Sequence, residues 1–352
     1  MEPVAALERI AFLLERDQAP TYRVQAFRKA AEALRALGGD EVAARAAAGT
    51  LRDVRGLGPK TSAVVREALA GQVPEYLARL ENAAAPLAAG GETLRRAQRG
   101  DCHTHSDWSD GGSPIPAMAA AAIDLGHEWT VLTDHSPTLT IAHGLTARRL
   151  REQLRVVADI NGRLGELSGA QPGAAKGQFT LLSGIECDIL ADGSLDQDAA
   201  LLDELDVVVA SVHSALRMDR AAMTRRLIAA VSNPLVDVLG HCTGRLVGER
   251  ERPGSQFDAA AVFAACAAHG TAVEINSRPD RLDPPRRLLR QALDAGTLFA
   301  IDSDAHAPGQ LDWQGYGCAR AAECGIPAAR IITTWTARQL LRWTRTRKPP
   351  SQ

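Results

Sequence analysis

Two histidines and two aspartates lie within eight residues of this 352-residue chain: His103, His105, Asp107 and Asp110. If the segment with both histidines is a strand, its two-residue period places the two imidazoles on one face. A Gly-Gly pair follows and predicts a turn that brings a carboxylate back towards them. Imidazole and carboxylate together are a frequent ligand set for transition metals. Since a His-x-His pair also occurs by chance, the prediction depends on the rest of the chain.

Further residues of the same kind end six more apolar segments, with helical stretches between them: His135, Glu186, His213, His241, Glu274 and His306. Alternating strands and helices predict a parallel α/β barrel whose functional residues lie at the carboxyl ends of the strands. Six of the nine histidines fall at these ends, which core packing does not explain. His127, His143 and His269 lie elsewhere and receive no metal role. The sequence therefore predicts a metal site at one end of a barrel.

The ligand pattern over residues 99–340 resembles the PHP (polymerase and histidinol phosphatase) family. The resemblance implies a distorted (β/α)7 TIM-like barrel with three divalent metal ions. It assigns the first ion to His103, His105, Glu186 and Asp304, the second to Glu186, His213 and His241, and the third to Asp110, His135 and His306. Such mixed ligands suit Zn²⁺, Mn²⁺ or Fe²⁺, and the sequence does not choose among them. Asp134 is expected to orient a ligand histidine.

Nine ligands for three ions leave coordination positions open, as catalytic sites do. Divalent ions lower the pKa of water and neutralise phosphoryl charge, so the predicted chemistry is phosphate ester hydrolysis without a serine or cysteine nucleophile. Arg217 and Arg245 each lie four residues after a ligand histidine and are predicted to bind the phosphate. The alternative for both is a solvated surface arginine. Arg278 and Arg281 are weaker candidates.

Residues 1–82 predict a small all-α domain. Gly56-Leu-Gly58-Pro-Lys60 is typical of a helix-hairpin-helix turn, whose free backbone N–H groups and lysine suit a DNA phosphate. Residues 21–34 together with this turn resemble the N-terminal DNA-binding domain of family X DNA polymerases. The position of the Schiff-base lysine in the lyase members of that family is occupied here by Val64, so lyase activity is not expected. With nearly balanced local charge, DNA binding should be weak and salt-sensitive.

Residues 83–98 are rich in alanine, glycine and proline and predict a linker to a PHP domain at 99–345. Segments around His241, Glu274 and Asp304 resemble the PHP domain of bacterial PolX-type polymerases. Those proteins carry a nucleotidyl-transferase domain between the two regions, for which a short linker has no room, so polymerase activity is not expected. The resemblance suggests a polymerase as a partner.

Composition places few limits on function. The net charge of −2 gives no overall attraction to nucleic acid, and the six cysteines show no metal-type or disulfide-type spacing. Without a signal-like or membrane-spanning segment, a cytoplasmic protein that does not contact a membrane is expected.

The leading hypothesis is a DNA 3′-end exonuclease or phosphatase in DNA repair. The alternatives are a small-molecule phosphatase of the histidinol-phosphatase type and a non-catalytic DNA-binding regulatory module.

Overall fold

The computed structural model describes residues 1–168, 179–248 and 251–348. The chain divides into two units, Met1–Pro86 and Leu87–Gln352. None of the helices in the described part of the chain is both long and apolar enough to cross a membrane.

The first unit is all-helical because its apolar residues recur at helical spacing and meet in one core. Its helices are α1 Pro3–Arg16, α2 Thr21–Leu37, α3 Gly39–Ala48, α4 Pro59–Leu69 and α5 Glu75–Ala83. Leu7, Ile10, Phe27, Val65 and Leu77 are buried in that core. A 3₁₀ turn at Leu51–Asp53 precedes α4, so the glycine-rich turn connects two short helices as predicted.

The second unit is a parallel barrel in which strands and helices alternate. Its elements are α6 Glu92–Ala97, β1 Gly100–Thr104, α7 Ile115–Asp124, β2 Trp129–Leu132, α8 Ala147–Ser168, β3 Thr180–Asp188, α9 Ala199–Asp203, β4 Val207–Ser211, α10 Arg220–Val231, β5 Val238–Leu239, α11 Ala259–His269, β6 Ala272–Asn276, α12 Arg286–Asp294, β7 Phe299–Asp302, α13 Gln314–Glu323 and α14 Ala337–Arg347. The seven strands are hydrogen-bonded in sequence order, and all pairs are parallel. The predicted (β/α)7 fold with a helical N-terminal domain is confirmed.

The predicted linker contains a packed helix. Helix α6 lies within residues 83–98, and its Leu94 is buried in the barrel's hydrophobic core. Arg95 of α6 forms an ion pair with Asp312 at 3.1 Å. An alanine-rich and glycine-rich segment thus contributes one turn-and-a-half of helix to the second unit.

A seam between the first and last strands closes the barrel. A parallel bridge joins Thr104 to Ala305, where His105 N donates to Ala305 O at 2.8 Å. Below this bridge, Asp101 accepts from Ser303 N at 3.2 Å and Asp302 accepts from Cys102 N at 2.8 Å. The predicted ligands of β1 and β7 therefore lie on the two sides of one seam.

Helix α14 covers the end of the barrel at which the strands begin, opposite the end that carries the predicted ligands. Leu340 of this helix packs with residues at the starts of the strands, including Val207, Val238 and Ala272. Arg347 donates to Asp237 Oδ1 at 2.8 Å, and both side chains are almost fully buried.

Candidate metal centre

Glu186 is the point at which the predicted ligands of five strands meet. It lies in β3, is 1% exposed, and directs its two carboxylate oxygens towards different histidines. Oε1 lies 2.7 Å from His241 Nε2 and 3.2 Å from His213 Nε2. Oε2 lies 3.3 Å from His103 Nε2 and 2.8 Å from His135 Nδ1.

The remaining predicted ligands surround His105 on the other side of the site. Its Nε2 lies 3.4 Å from Asp304 Oδ1, and its ring centroid is 4.1 Å from that of His306. Asp110 Oδ1 lies 3.4 Å from His306 Nε2 and 3.5 Å from the His135 ring. The structure therefore brings all nine predicted ligand residues together. Asp110, whose side chain is 36% exposed, lies on the solvent side.

These residues fit divalent metal ions, because buried ligand atoms face one another without hydrogen bonds. Among the described residues, the buried side-chain atoms without a hydrogen-bond partner include His103 Nε2, His105 Nδ1 and Nε2, His135 Nδ1, His213 Nε2, His241 Nδ1 and Glu186 Oε2. Buried polar atoms are rarely left unpaired, and a shared cation would satisfy this set.

The electrostatics of the site hold several ligands in the forms that bind cations. Burial opposes charge on Glu186, but the nearby imidazoles of His103 and His135 hold the pKa of its carboxyl well below the usual value. Burial and the neighbouring His306 hold the pKa of His105 well below that of free histidine. A carboxylate and a neutral imidazole are therefore the forms of these two residues at neutral pH.

Three groups of ligand atoms are close enough to hold an ion each. They are His105, Asp110, His135 and His306; His103, His105 and Glu186; and His135, Glu186 and His213. These groups agree with the predicted sets in most members, but His135 also joins Glu186 and His213. His241, which was predicted to bind that ion, is not a member of this group, although its Nε2 lies 2.7 Å from Glu186 Oε1.

Two carboxylates that the sequence analysis did not assign hold ligand rings in place. Asp188 Oδ1 lies 2.6 Å from His213 Nδ1, and Glu274 Oε1 lies 2.6 Å from His103 Nδ1. Each carboxylate can accept a hydrogen bond from Nδ1–H, an arrangement in which Nε2 of the ring would be free to bind a cation beside Glu186. The available signal was position, since Asp188 lies two residues after Glu186 on the same strand and Glu274 lies in β6, two residues before that strand ends.

The structure gives Asp134 no hydrogen bond with a ligand histidine among the described residues, so its predicted orienting role stays a prediction. Its neighbour His135 points into the site, so the Asp134 carboxylate lies on the other side of the backbone. There it accepts hydrogen bonds from Ser106 Oγ at 2.6 Å, Ser109 Oγ at 2.5 Å and Gln153 Nε2 at 2.6 Å. Asp134 therefore fixes the loop that carries Asp110, and it contacts no ligand histidine among the described hydrogen bonds.

The Arg245 guanidinium is engaged by the protein, and its predicted contact with a phosphate stays a prediction. It donates to the carbonyl oxygens of Arg281 and Leu282, which braces one loop against another. The loop braced in this way carries the arginines that do reach the site. Arg281 Nε lies 3.1 Å from Asp304 Oδ2, and Arg278 Nη1 lies 3.4 Å from His306 Nδ1.

Arg217 remains an open prediction. It lies on the loop after β4, is exposed, and makes no hydrogen bond or ion pair with any described residue. A side chain with this freedom is available to a substrate but is not positioned by the fold.

The predicted DNA-binding residues of the hairpin, Gly56, Gly58 and Lys60, are exposed, whereas Leu57 between them is buried. Gly56 has a φ of +99°, and a Cβ there would lie 3.4 Å from Lys29 O, so glycine suits this turn. Gly58 N is not free, since it donates to Thr61 Oγ1 at 2.8 Å. The donors left at the start of α4 are the backbone N–H groups of Lys60 and Thr61, which have no intrahelical acceptor. Lys60 Nζ itself lies 5.3 Å from the centre of the Tyr76 ring.

Comparison with known proteins identifies two regions. A helix-hairpin-helix domain model matches residues 1–73, and a PHP domain model matches residues 101–278. The DNA polymerase/3′-5′ exonuclease PolX of Bacillus subtilis is 38% identical over 214 residues, which are 61% of this chain but 35% of that protein. This chain thus spans about a third of the length of that relative.

Two further proteins resemble the barrel region. A probable phosphatase of Edwardsiella ictaluri is 27% identical over 68% of this chain and 91% of its own length. The zinc-, histidinol- and phosphate-bound histidinol phosphate phosphatase of Lactococcus lactis is 19% identical, with a TM-score of 0.45 over 65% of this chain and 95% of that one. The PHP model alone spans half of the chain. The predicted enzyme class, a metal-dependent hydrolase of phosphate esters, is confirmed, and the chain belongs to the PHP domain family.

Proposed function

We propose that this protein hydrolyses phosphate esters at DNA 3′ ends in DNA repair, as an exonuclease or a 3′-phosphatase. The observation that carries the proposal is the convergence of nine predicted ligand residues at one end of the barrel, in a chain that also has a helix-hairpin-helix domain. The full set of predicted ligands supports the binding of three divalent ions, which would be Zn, Mn or Fe. The proposed location of the enzyme is the cytoplasm. The similarity to the DNA polymerase/3′-5′ exonuclease PolX of Bacillus subtilis supports DNA as the substrate class.

The residues of the chain divide the work around the bound ions. When bound, divalent ions supply a water of lowered pKa and neutralise charge on phosphoryl oxygens. Asp188 and Glu274 keep His213 and His103 in the tautomer that leaves Nε2 free. Arg278, with a side chain that is 28% exposed beside His306, is placed to bind a phosphate oxygen at the mouth of the site. Developing charge on the phosphoryl group would thus meet a fixed cation.

Two activities of family X relatives are not part of the proposal. Only residues 74–100 lie between the two matched regions, so no nucleotidyl-transferase domain fits there. Val64, at the position of the lyase lysine, is 2% exposed in the core of the helical unit.

A small-molecule phosphatase is the second candidate. It is favoured by the similarity to the probable phosphatase of E. ictaluri, since this chain covers 91% of that protein's length. The non-catalytic alternative is disfavoured because each of the nine predicted ligand positions holds a histidine, an aspartate or a glutamate.

The deciding experiment compares substrates on one protein preparation. The purified chain is incubated with Mn²⁺ and either labelled single-stranded and gapped DNA or histidinol phosphate. His103→Ala removes a ligand, and His269→Ala at the exposed end of α11 is the matched control. We expect hydrolysis of DNA by the parent and by His269→Ala but not by His103→Ala. Intact DNA together with hydrolysis of histidinol phosphate would refute the DNA proposal and support the second candidate.

A further inference from the structure

The last 29 residues concentrate positive charge that the function described so far does not use. Residues 324–352 contain six arginine and lysine residues and no aspartate or glutamate, in a chain whose net charge is −2. Most of these cations lie on α14, at the end of the barrel opposite the metal centre.

The cations of this segment fall into two sets. Arg330, Arg347 and Lys348 are engaged in holding the barrel, through Thr297 O, Asp237 and Leu205 O respectively. Arg338, Arg342 and Arg345 form the second set, which we call the arginine row. All three are exposed and make no hydrogen bond or ion pair with any residue that the structure describes. Their spacing of four and three residues places them along one face of α14.

The arginine row lines a groove between α14, α8 and the start of β3. The groove has a volume of about 730 Å³, and its other walls include Asn161, Thr180 and Asp206. Asp206 accepts from Ser183 N at 3.0 Å and Ser183 Oγ at 2.9 Å, so its carboxylate is held by the loop. Three arginines facing one acid leave the groove with an excess of positive charge.

We propose that the arginine row binds the phosphate backbone of a nucleic-acid strand, which makes it a second contact surface for the substrate of the proposed DNA hydrolase. Guanidinium groups match phosphate oxygens in a planar, two-point geometry. The row is about 10 Å long at 1.5 Å per helical residue. That length covers roughly three nucleotide steps of one strand at about 3.4 Å per step. The contacts are with phosphates, so they carry no base specificity.

The position of the groove predicts a dependence on substrate length. Thr180 lines the groove and Glu186 lies six residues later in the same strand, about 20 Å away at 3.3 Å per residue. One strand that touches both the row and the metal centre must therefore span at least about six nucleotides. Shorter substrates reach the metal centre without the row.

The test removes three charges from the row and compares them with three charges removed elsewhere. The variant is Arg338→Gln/Arg342→Gln/Arg345→Gln in the full chain. Its control, Arg225→Gln/Arg287→Gln/Arg290→Gln, removes equal charge from exposed positions of α10 and α12 that are also unpaired among the described residues. Binding of a labelled 20-nucleotide single strand is measured by fluorescence anisotropy from 50 to 300 mM salt. Initial rates are measured for 20-nucleotide and 3-nucleotide substrates.

We expect Kd for the long strand to rise more than about tenfold in the row variant. The slope of the logarithm of the binding constant against the logarithm of the salt concentration should fall in magnitude by about 2, or about 0.7 for each lost phosphate contact. The control should change both much less. kcat/KM should fall for the 20-nucleotide substrate only. Parental binding by the row variant, or an equal loss in the control, would overturn the proposal. So would loss of binding to a polyglutamate peptide with DNA binding unchanged, which would assign the groove to an acidic protein segment. If the parent binds DNA through the row without hydrolysing it, the proposed function fails and the binding surface stands.

Discussion

Replacing Asp188 by asparagine tests whether the buried carboxylates behind the histidines set metal affinity. In the native protein the Asp188 carboxylate lies 2.6 Å from His213 Nδ1 and is 2% exposed. Asparagine keeps the size of the side chain and one oxygen but removes the negative charge. The ring then loses its charged partner, and its Nε2 becomes a weaker donor to a cation beside Glu186.

The expected size of the effect follows from this geometry. Carboxylates that support metal-bound histidines typically contribute tenfold to 100-fold in metal affinity or activity. That range corresponds to about 1.4–2.7 kcal/mol at 25 °C. His213 is one of three residues in its group, so we expect weakening of the ion that it shares with His135 and Glu186 and little change elsewhere.

The assay is competition for Mn²⁺ or Zn²⁺ against a chromophoric chelator, with metal content checked by elemental analysis. Asp294→Asn, an exposed aspartate in α12, is the matched control. Urea unfolding of the chelator-treated proteins separates metal binding from folding. If Asp188→Asn keeps the parental metal affinity and hydrolytic rate while folding normally, the orienting role argued from the 2.6 Å contact is refuted.

Three other outcomes can be measured directly. Gly58→Asp should raise Kd for DNA several-fold by placing negative charge at the start of α4. Its thermal stability should not fall, because a Cβ there meets nothing within 4 Å and aspartate is a favoured N-cap. Unchanged DNA affinity would argue that the hairpin is structural. Arg347→Ala should lower the free energy of unfolding by about 3–5 kcal/mol in urea titration, since it leaves Asp237 buried without its partner. The same substitution at the exposed Arg345 should lower it by less than about 0.5 kcal/mol. Equal effects of the two substitutions would contradict this reasoning. Removing metal from the parent protein with a chelator should lower its melting temperature and abolish hydrolysis, and added Mn²⁺ should restore both. A melting temperature that does not depend on metal would show that the predicted ligands bind no metal ion.

The nine predicted ligands were accessible to sequence reasoning because they lie near the ends of strands or in the loops that follow, and parallel strands deliver their ends to one place. The orienting carboxylates were not, because an acidic residue in an apolar strand, as Glu274 is in β6, has the same pattern as a ligand. Its role depends on a 2.6 Å contact with a ring from β1, 171 residues away in the chain. The barrel itself was predictable for the same reason as the ligands, since strand and helix periodicities alternate throughout.

The arginines show where spacing fails. Arg217 and Arg245 have the same offset from a ligand histidine, yet one is exposed and the other braces the Arg281–Leu282 backbone. Loop side chains take directions that no periodicity fixes. For Asp134, strand alternation next to His135 already predicted a side chain that points away from the ligand histidines, and its hydrogen bonds lie on that other side.

The seam between β1 and β7 has a consequence for how the barrel opens. One backbone bridge and a few buried hydrogen bonds join these strands, while His103 and His105 face Asp304 and His306 across the same line. A cation held from both sides would act as a cross-link closing a loop of about 200 residues, and closing a longer loop costs more chain entropy than closing a shorter one. Local unfolding should then begin at this line in the metal-free protein. Amide hydrogens of His105 and Ser303 would exchange with solvent early without metal and late with it.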